Sequence, residues 1–208
     1  MLLGTLVIFS FWDVLVGMGT FVLGDFDVFG YPLAYHFRES LLQGELPLWN
    51  PLNNFGLPFL AQWNTMVLYP PSLMHLALPL SWSLGLFCVQ HLFVGGLGMF
   101  QLARRWTDSG AAGAVAGVAY AFGGLSQSSL MWPNNSAALG LLPWVMLLTE
   151  TGCRAGGRAL LIAVLVGSLQ MLAGAPEIIL FTWLLVALRL AISDRQFAPS
   201  GLAWRRFA

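Results

Sequence analysis

The stretch GDFDVFGYP, Gly24 to Pro32, sets two carboxylates, Asp25 and Asp27, directly behind a long apolar run. Acids at such an edge can act as a general base, hold a divalent cation, or keep a loop end hydrated. In an extended chain, residues i and i+2 point the same way, about 7 Å apart, which suits one metal or a base with a helper. Arg38 is the one arginine between these acids and Arg104. It suits a phosphate, a lipid headgroup, or an ion pair with Glu39 or Glu45. His36 reads as a proton carrier or as the polar flank of a helix. His91 lies inside an apolar run, either as a functional group or as a neutral histidine bonded across helices. Glu177 follows Pro176 in a turn; it faces the same space as Asp25 or serves as a first-turn acid favoured by the helix dipole. Trp49, Trp63, Tyr69 and Trp132 form an interfacial belt or stack on sugar rings.

The elements that must position these groups are set by an apolar composition. Of 208 residues, 58% are hydrophobic and 9% charged, and the mean hydropathy is +0.75. A soluble domain carries about 25% charged residues, so this chain lacks the polar surface to cover a globule in water. The composition predicts an all-α integral membrane protein. The net charge is zero, which excludes a global field for nucleic acid. Cys88 and Cys153 have no zinc-ligand spacing and read as free thiols.

A bilayer core takes about 20 apolar residues per helix. The first run, 2–23, is broken by Asp13 and lacks the basic start of a signal peptide; it predicts an uncleaved span whose helix stops near Phe11. Residues 24–72 hold six prolines and two tryptophans, too many for a plain linker, and predict a folded external loop with juxtamembrane helices. Within it Leu33, Phe37 and Leu41 recur at helical spacing between Pro32 and Gly44, predicting an amphipathic helix on the membrane surface or packed on protein. Further spans are predicted over 82–103, 111–131, 137–148, 160–173 and 178–192, separated by turns at 132–135 and 174–177. That makes about six spans in a single unit, 1–208. Eight of nine arginines (Arg104, Arg105, Arg154, Arg158, Arg189, Arg195, Arg205 and Arg206) fall near one face. The positive-inside rule assigns that face to the cytoplasm and the long loop to the outside. The tail 202–208 reads as the lead-in to another helix.

The order of residues adds a resemblance. GDFDVFGYPLAYHFRESLLQGELPLWNP, FGLPFLAQ, LYPPSLMHLALP, HLFVGGLGMFQLARR and LAGAPE together resemble the bacterial YfhO-like membrane proteins, placed among the GT-C-type glycosyltransferases. The likeness runs from about Trp12 to Glu177 and implies that this chain is the N-terminal part of a longer protein of the bacterial cytoplasmic membrane. It implies transfer of a sugar from a polyprenyl-phosphate donor to a cell-envelope acceptor on the outer face, with inversion at the anomeric carbon. Asp25 matches the aspartate of the family's GD pattern and inherits the role of base. Asp27, Tyr31, His36, Arg38, Trp49, Asn50 and Glu177 form the expected substrate-binding set; no cofactor is fixed, and a divalent metal, if used, would fall to Asp25 and Asp27. Where the family often carries a histidine, Ala175 stands, leaving Glu177 as the polar group of that turn. The competing class is a non-catalytic subunit or transporter fragment. A transporter should carry broken helices with polar groups at mid-membrane, whereas polar residues here gather at the outer edge.

Overall fold

The computed structural model describes residues 2–21, 24–53 and 55–197, with 193–197 described by backbone alone. The predicted tail helix at 202–208 lies outside these residues, as do Arg205 and Arg206. The protein is mostly helical.

The first apolar run breaks where the buried-carboxylate argument places the break. Helix α1 (Leu2–Ser10) ends one residue before Phe11, and a single turn, α2 (Trp12–Leu15), follows with Asp13 exposed. A five-residue π-helical turn, Phe26–Gly30, then runs straight into α3 (Tyr31–Leu42). Pro32 sits in the first turn, where its missing N–H costs nothing, and Gly44 leaves the helix at φ +77°. Leu33 and Phe37 are buried on the inner face against Phe59. A two-residue antiparallel ladder, β1 (Trp49–Asn50) with β2 (Leu57–Pro58), pairs Trp49 with Pro58 and Asn50 with Leu57. Short 3₁₀ turns at Trp63–Thr65 and Pro70–Leu73 lead to α4 (Met74–Ala77).

The remaining chain is a helical bundle. It comprises α5 (Leu80–Thr107), α6 (Gly110–Phe122), α7 (Gly124–Ser128), α8 (Pro133–Ala155), α9 (Gly157–Ala173) and α10 (Pro176–Phe197). Helices α5 and α8 are long and apolar enough to cross a membrane. Small residues let α5 sit close to two neighbours. A Cβ on Gly96 would lie 3.0 Å from the Gly117 carbonyl of α6, and one on Gly95 would lie 3.1 Å from the Gly140 Cα of α8.

Two expected elements differ. The run 111–131 is not one helix: Gly123 takes an extended conformation (ψ 153°), and α7 and a 3₁₀ turn at Ser129–Met131 follow. Residues 133–135 are not a turn either. Pro133 occupies the first helical position, so Pro133, Asn134 and Asn135 open α8, which runs well beyond the expected 137–148. Asn134 is held there because its Nδ2 donates to the Gly174 carbonyl at 3.1 Å, tying α8 to the α9–α10 turn.

The main core gathers Phe26, Tyr69, Leu84, Phe87, Cys88 and Leu92. Cys88 and Cys153 are both free, the first buried and the second exposed.

Candidate functional site

The two ends of the bundle differ in chemistry. At one end lies the 24–79 layer. It packs on the α7–α8 and α9–α10 turns: the Phe29 ring stands 5.3 Å from Trp132, Gly30 abuts Pro133, and a Cβ on Gly174 would collide with the Trp63 carbonyl. At the other end lie Arg104, Arg105, Arg154 and Arg189.

Asp25 directly precedes the π-helical turn, without a side-chain bond to it, and is half-buried; Asp27 is exposed within the turn. Both are helical rather than extended, so side chains two apart point to different sides and do not converge on one metal as an extended strand would bring them. Among the described residues, no three of His, Cys, Asp and Glu form a group able to hold a metal. Tyr31, one turn on, is exposed. Arg38 is committed in part: its Nη1 donates to the Leu78 carbonyl at 2.9 Å, anchoring α3 to the segment entering α5. That bond, rather than an ion pair with Glu39 or Glu45, fixes the side chain. Asn50 is buried, and its Oδ1 accepts from the Leu52 N–H at 3.0 Å, closing the turn after β1. Glu177 is exposed in the first turn of α10, at the same end as Asp25.

An open groove of about 1130 Å³, counted with the solvent at its mouth, runs between the outer face of α3 and the segment 45–52. Tyr35, His36, Glu39, Glu45 and Trp49 line it. The Trp49 indole lies across Gly56, where any Cβ would meet it at 2.5 Å, and so presents one aromatic surface to the groove. The His36 ring stands edge-on to Phe59 at 4.7 Å, with its Nε2 buried and unpartnered. The groove therefore offers aromatic faces, two carboxylates and an imidazole. Asp25 and Glu39 lie fourteen positions apart on one continuous helical segment, so about 20 Å of helical rise separates them. The expected site residues thus divide between the two ends of α3.

Beneath this layer lie buried polar pairs. Tyr69 is buried in the core, not in an aromatic belt, and its hydroxyl donates to His91 Nε2 at 2.7 Å. His91 Nδ1 must then carry its proton, because its partner at 2.7 Å is the Phe87 carbonyl, which only accepts. His91 is a neutral histidine bonded from helix to loop, and burial pushes the Tyr69 hydroxyl pKa upward. His75, on α4, bonds through Nδ1 to Ser83 Oγ at 2.9 Å. Burial, with a smaller contribution from the Arg38 charge, lowers its pKa from 6.5 to about 4. His75 Nε2 and Ser72 Oγ are buried without partners.

At the arginine-rich end, Glu150 of α8 is 3% exposed. Its Oε1 accepts from Arg154 Nη2 at 2.8 Å and Arg189 Nη2 at 3.2 Å, and its Oε2 from Trp106 Nε1 at 3.1 Å. Arg189 also stands 5.1 Å over the Trp106 ring. Sequence reasoning passed over Glu150, Ser72 and His75. The Glu150–Arg154 spacing of four on a helix was a usable signal; nothing local marks His75.

Comparison with models of protein families, with curated proteins and with solved structures finds no match.

Proposed function

We propose that this chain is an integral membrane glycosyltransferase of the bacterial cytoplasmic membrane. It takes a sugar from a polyprenyl-phosphate donor and transfers it to a cell-envelope acceptor on the extracytoplasmic side. Six crossings would be made by α1–α2, α5, α6–α7, α8, α9 and α10, with the 24–79 layer outside and the arginine-rich end in the cytoplasm. Supporting the membrane setting, α9 and α10 leave Leu161, Leu165, Leu180, Phe181, Leu184 and Leu188 exposed. So long an apolar face is stable against lipid tails and not against water.

The observation that carries the catalytic reading is the concentration of polar and aromatic groups in one layer at one end of an apolar bundle. A lipid-linked donor would arrive sideways from the bilayer at the Asp25 end of α3. The half-buried carboxylate of Asp25 would take the proton of the acceptor hydroxyl as that oxygen attacks the anomeric carbon. The bond to the phosphate oxygen breaks, and the polyprenyl phosphate leaves. Arg38 keeps guanidinium donors beyond the one given to Leu78, but it lies thirteen positions along the helix from Asp25, too far to meet the leaving phosphate, and would instead hold the far end of a glycan acceptor. The groove beside Trp49 suits the ring faces and hydroxyls of a glycan acceptor, whose length would bridge the two ends of α3. Replacing Asp25 by Asn in the full-length protein, with a polyprenyl-phosphate sugar as donor, should cut turnover by 10²-fold or more, the usual scale of a lost general base. Turnover unchanged in that variant would end the assignment of Asp25.

A further inference from the structure

A cleft of about 370 Å³, counted with its mouth, opens between α3, the 64–66 segment and the start of α8. Most of its lining is apolar: Phe29, Leu33, Phe37 and Leu84. Ser72 and His75 also line it, each 2% exposed, with Ser72 Oγ and His75 Nε2 unpartnered. Asn64, half-buried, lines the rim, and two other polar groups nearby are committed. Thr65 Oγ1 bonds to the Phe59 and Gln62 carbonyls, and Asn134 Nδ2 bonds to Gly174 and Asn135.

The protonation of His75 follows from its neighbour. Ser83 Oγ lies 2.9 Å from the Leu80 carbonyl, which can only accept, so the single serine proton points there. Ser83 Oγ is then an acceptor toward His75, and His75 Nδ1 must be the donor. His75 Nε2 is left with a bare lone pair. It wants a donor, and buried polar atoms without partners are rare enough to demand one. The apolar lining excludes an ion, since no opposite charge lines the cleft to offset desolvation. A carboxylate or phosphate oxygen would meet the lone pair with another lone pair. A neutral hydroxyl satisfies both atoms, donating to Nε2 and exchanging a second hydrogen bond with Ser72.

We propose that this cleft is a seat for one neutral hydroxyl oxygen, held between His75 Nε2 and Ser72 Oγ. The oxygen belongs either to an ordered water or to the hydroxyl of a neutral sugar reaching in through the mouth. The seat is independent of the role given to Asp25.

The test is the ¹⁵N spectrum of histidine-labelled full-length protein in bilayers, with His75 assigned by loss of its signals in His75→Gln. A lone-pair nitrogen that accepts a hydrogen bond moves upfield of an unbonded one. We expect Nε2 to show that shift, and Ser72→Ala to move it back toward the unbonded position. Magnetisation transfer from water protons in plain buffer identifies water as the occupant. A shift that arises only on adding methyl glucoside identifies a sugar hydroxyl. An Nε2 that is protonated, an Nε2 unbonded in both conditions, or a shift indifferent to Ser72→Ala overturns the seat.

Discussion

His75 places a measurable property on one side chain. Its folded pKa lies near 4 against 6.5 for an ordinary histidine. Between those values the unfolded chain binds a proton that the folded chain refuses, so folding weakens as pH falls from 6.5 and levels off below about 4. The gap amounts to about 3 kcal/mol. Denaturation of the wild type and His75→Gln at pH 7 and near pH 4.5 should show a smaller acid loss in the variant; equal losses would mean that His75 titrates normally. Glu150 offers a second residue-scale measurement. Removing it leaves Arg189, whose side chain is 28% exposed, beside Trp106 without a carboxylate. Glu150→Ala should cost about 3 kcal/mol, at the low end for breaking a buried pair because both arginines reach solvent. Glu150→Gln should recover part of that by keeping the Trp106 bond. The sequence made the exposed acids and tryptophans visible as candidates because polar residues are rare in this chain. It could not reveal His75 and Ser72, since their role depends on Ser83 and on a cleft whose walls come from three separate segments.

At the scale of elements, helices with local signals were legible and interruptions set by packing were not. Helix α3 ends just before Gly44, as the sequence marks, whereas at its start helical backbone continues back past Pro32 through Phe26–Gly30. The Phe11 break follows from the cost of carrying Asp13 inward. The division of 111–131 is different: it comes at Gly123, and the Ser129–Met131 turn that follows meets the Phe26–Gly30 turn, a long-range contact that the run by itself does not announce. The same holds for α8, where Pro133 and two asparagines read as a turn until Asn134 is bonded to the α9–α10 turn. The α5–α8 contact yields the element-scale prediction. A Cβ on Gly140 would come within 2.6 Å of the His91 carbonyl and 3.1 Å of its Cβ. Gly140→Ala should therefore push α8 from α5 and destabilise the fold by about 1–3 kcal/mol, the cost of overpacking. Gly110→Ala meets nothing within 4 Å and serves as the control in the same thermal-unfolding series.

For the whole molecule, the proposal requires the 24–79 layer and the arginine-rich end to lie on opposite sides of a bilayer. The chain carries its own probe. Cys153 is exposed at the arginine-rich end and Cys88 is buried, so a membrane-impermeant maleimide reads one native thiol. Gly44 lies at the far end, exposed, with open space around it. Its φ of +77° strains any side chain, so Gln43, exposed at the end of α3, is the better site for a second thiol. In intact spheroplasts the impermeant reagent should modify Gln43→Cys and spare Cys153; in inverted membrane vesicles the pattern should reverse. Both thiols reacting from the same side would reject the six-crossing arrangement. Release of the protein by alkaline carbonate would reject the membrane setting itself, because a bundle with the α9 and α10 faces buried in lipid must stay with the membrane. The pattern also bears on catalysis. A donor phosphate lodged at the lipid edge can reach Asp25 only if α3 lies at the outer face. Labelling of Gln43→Cys from the cytoplasmic side would thus remove the extracytoplasmic transferase reading even if the protein proved to be integral.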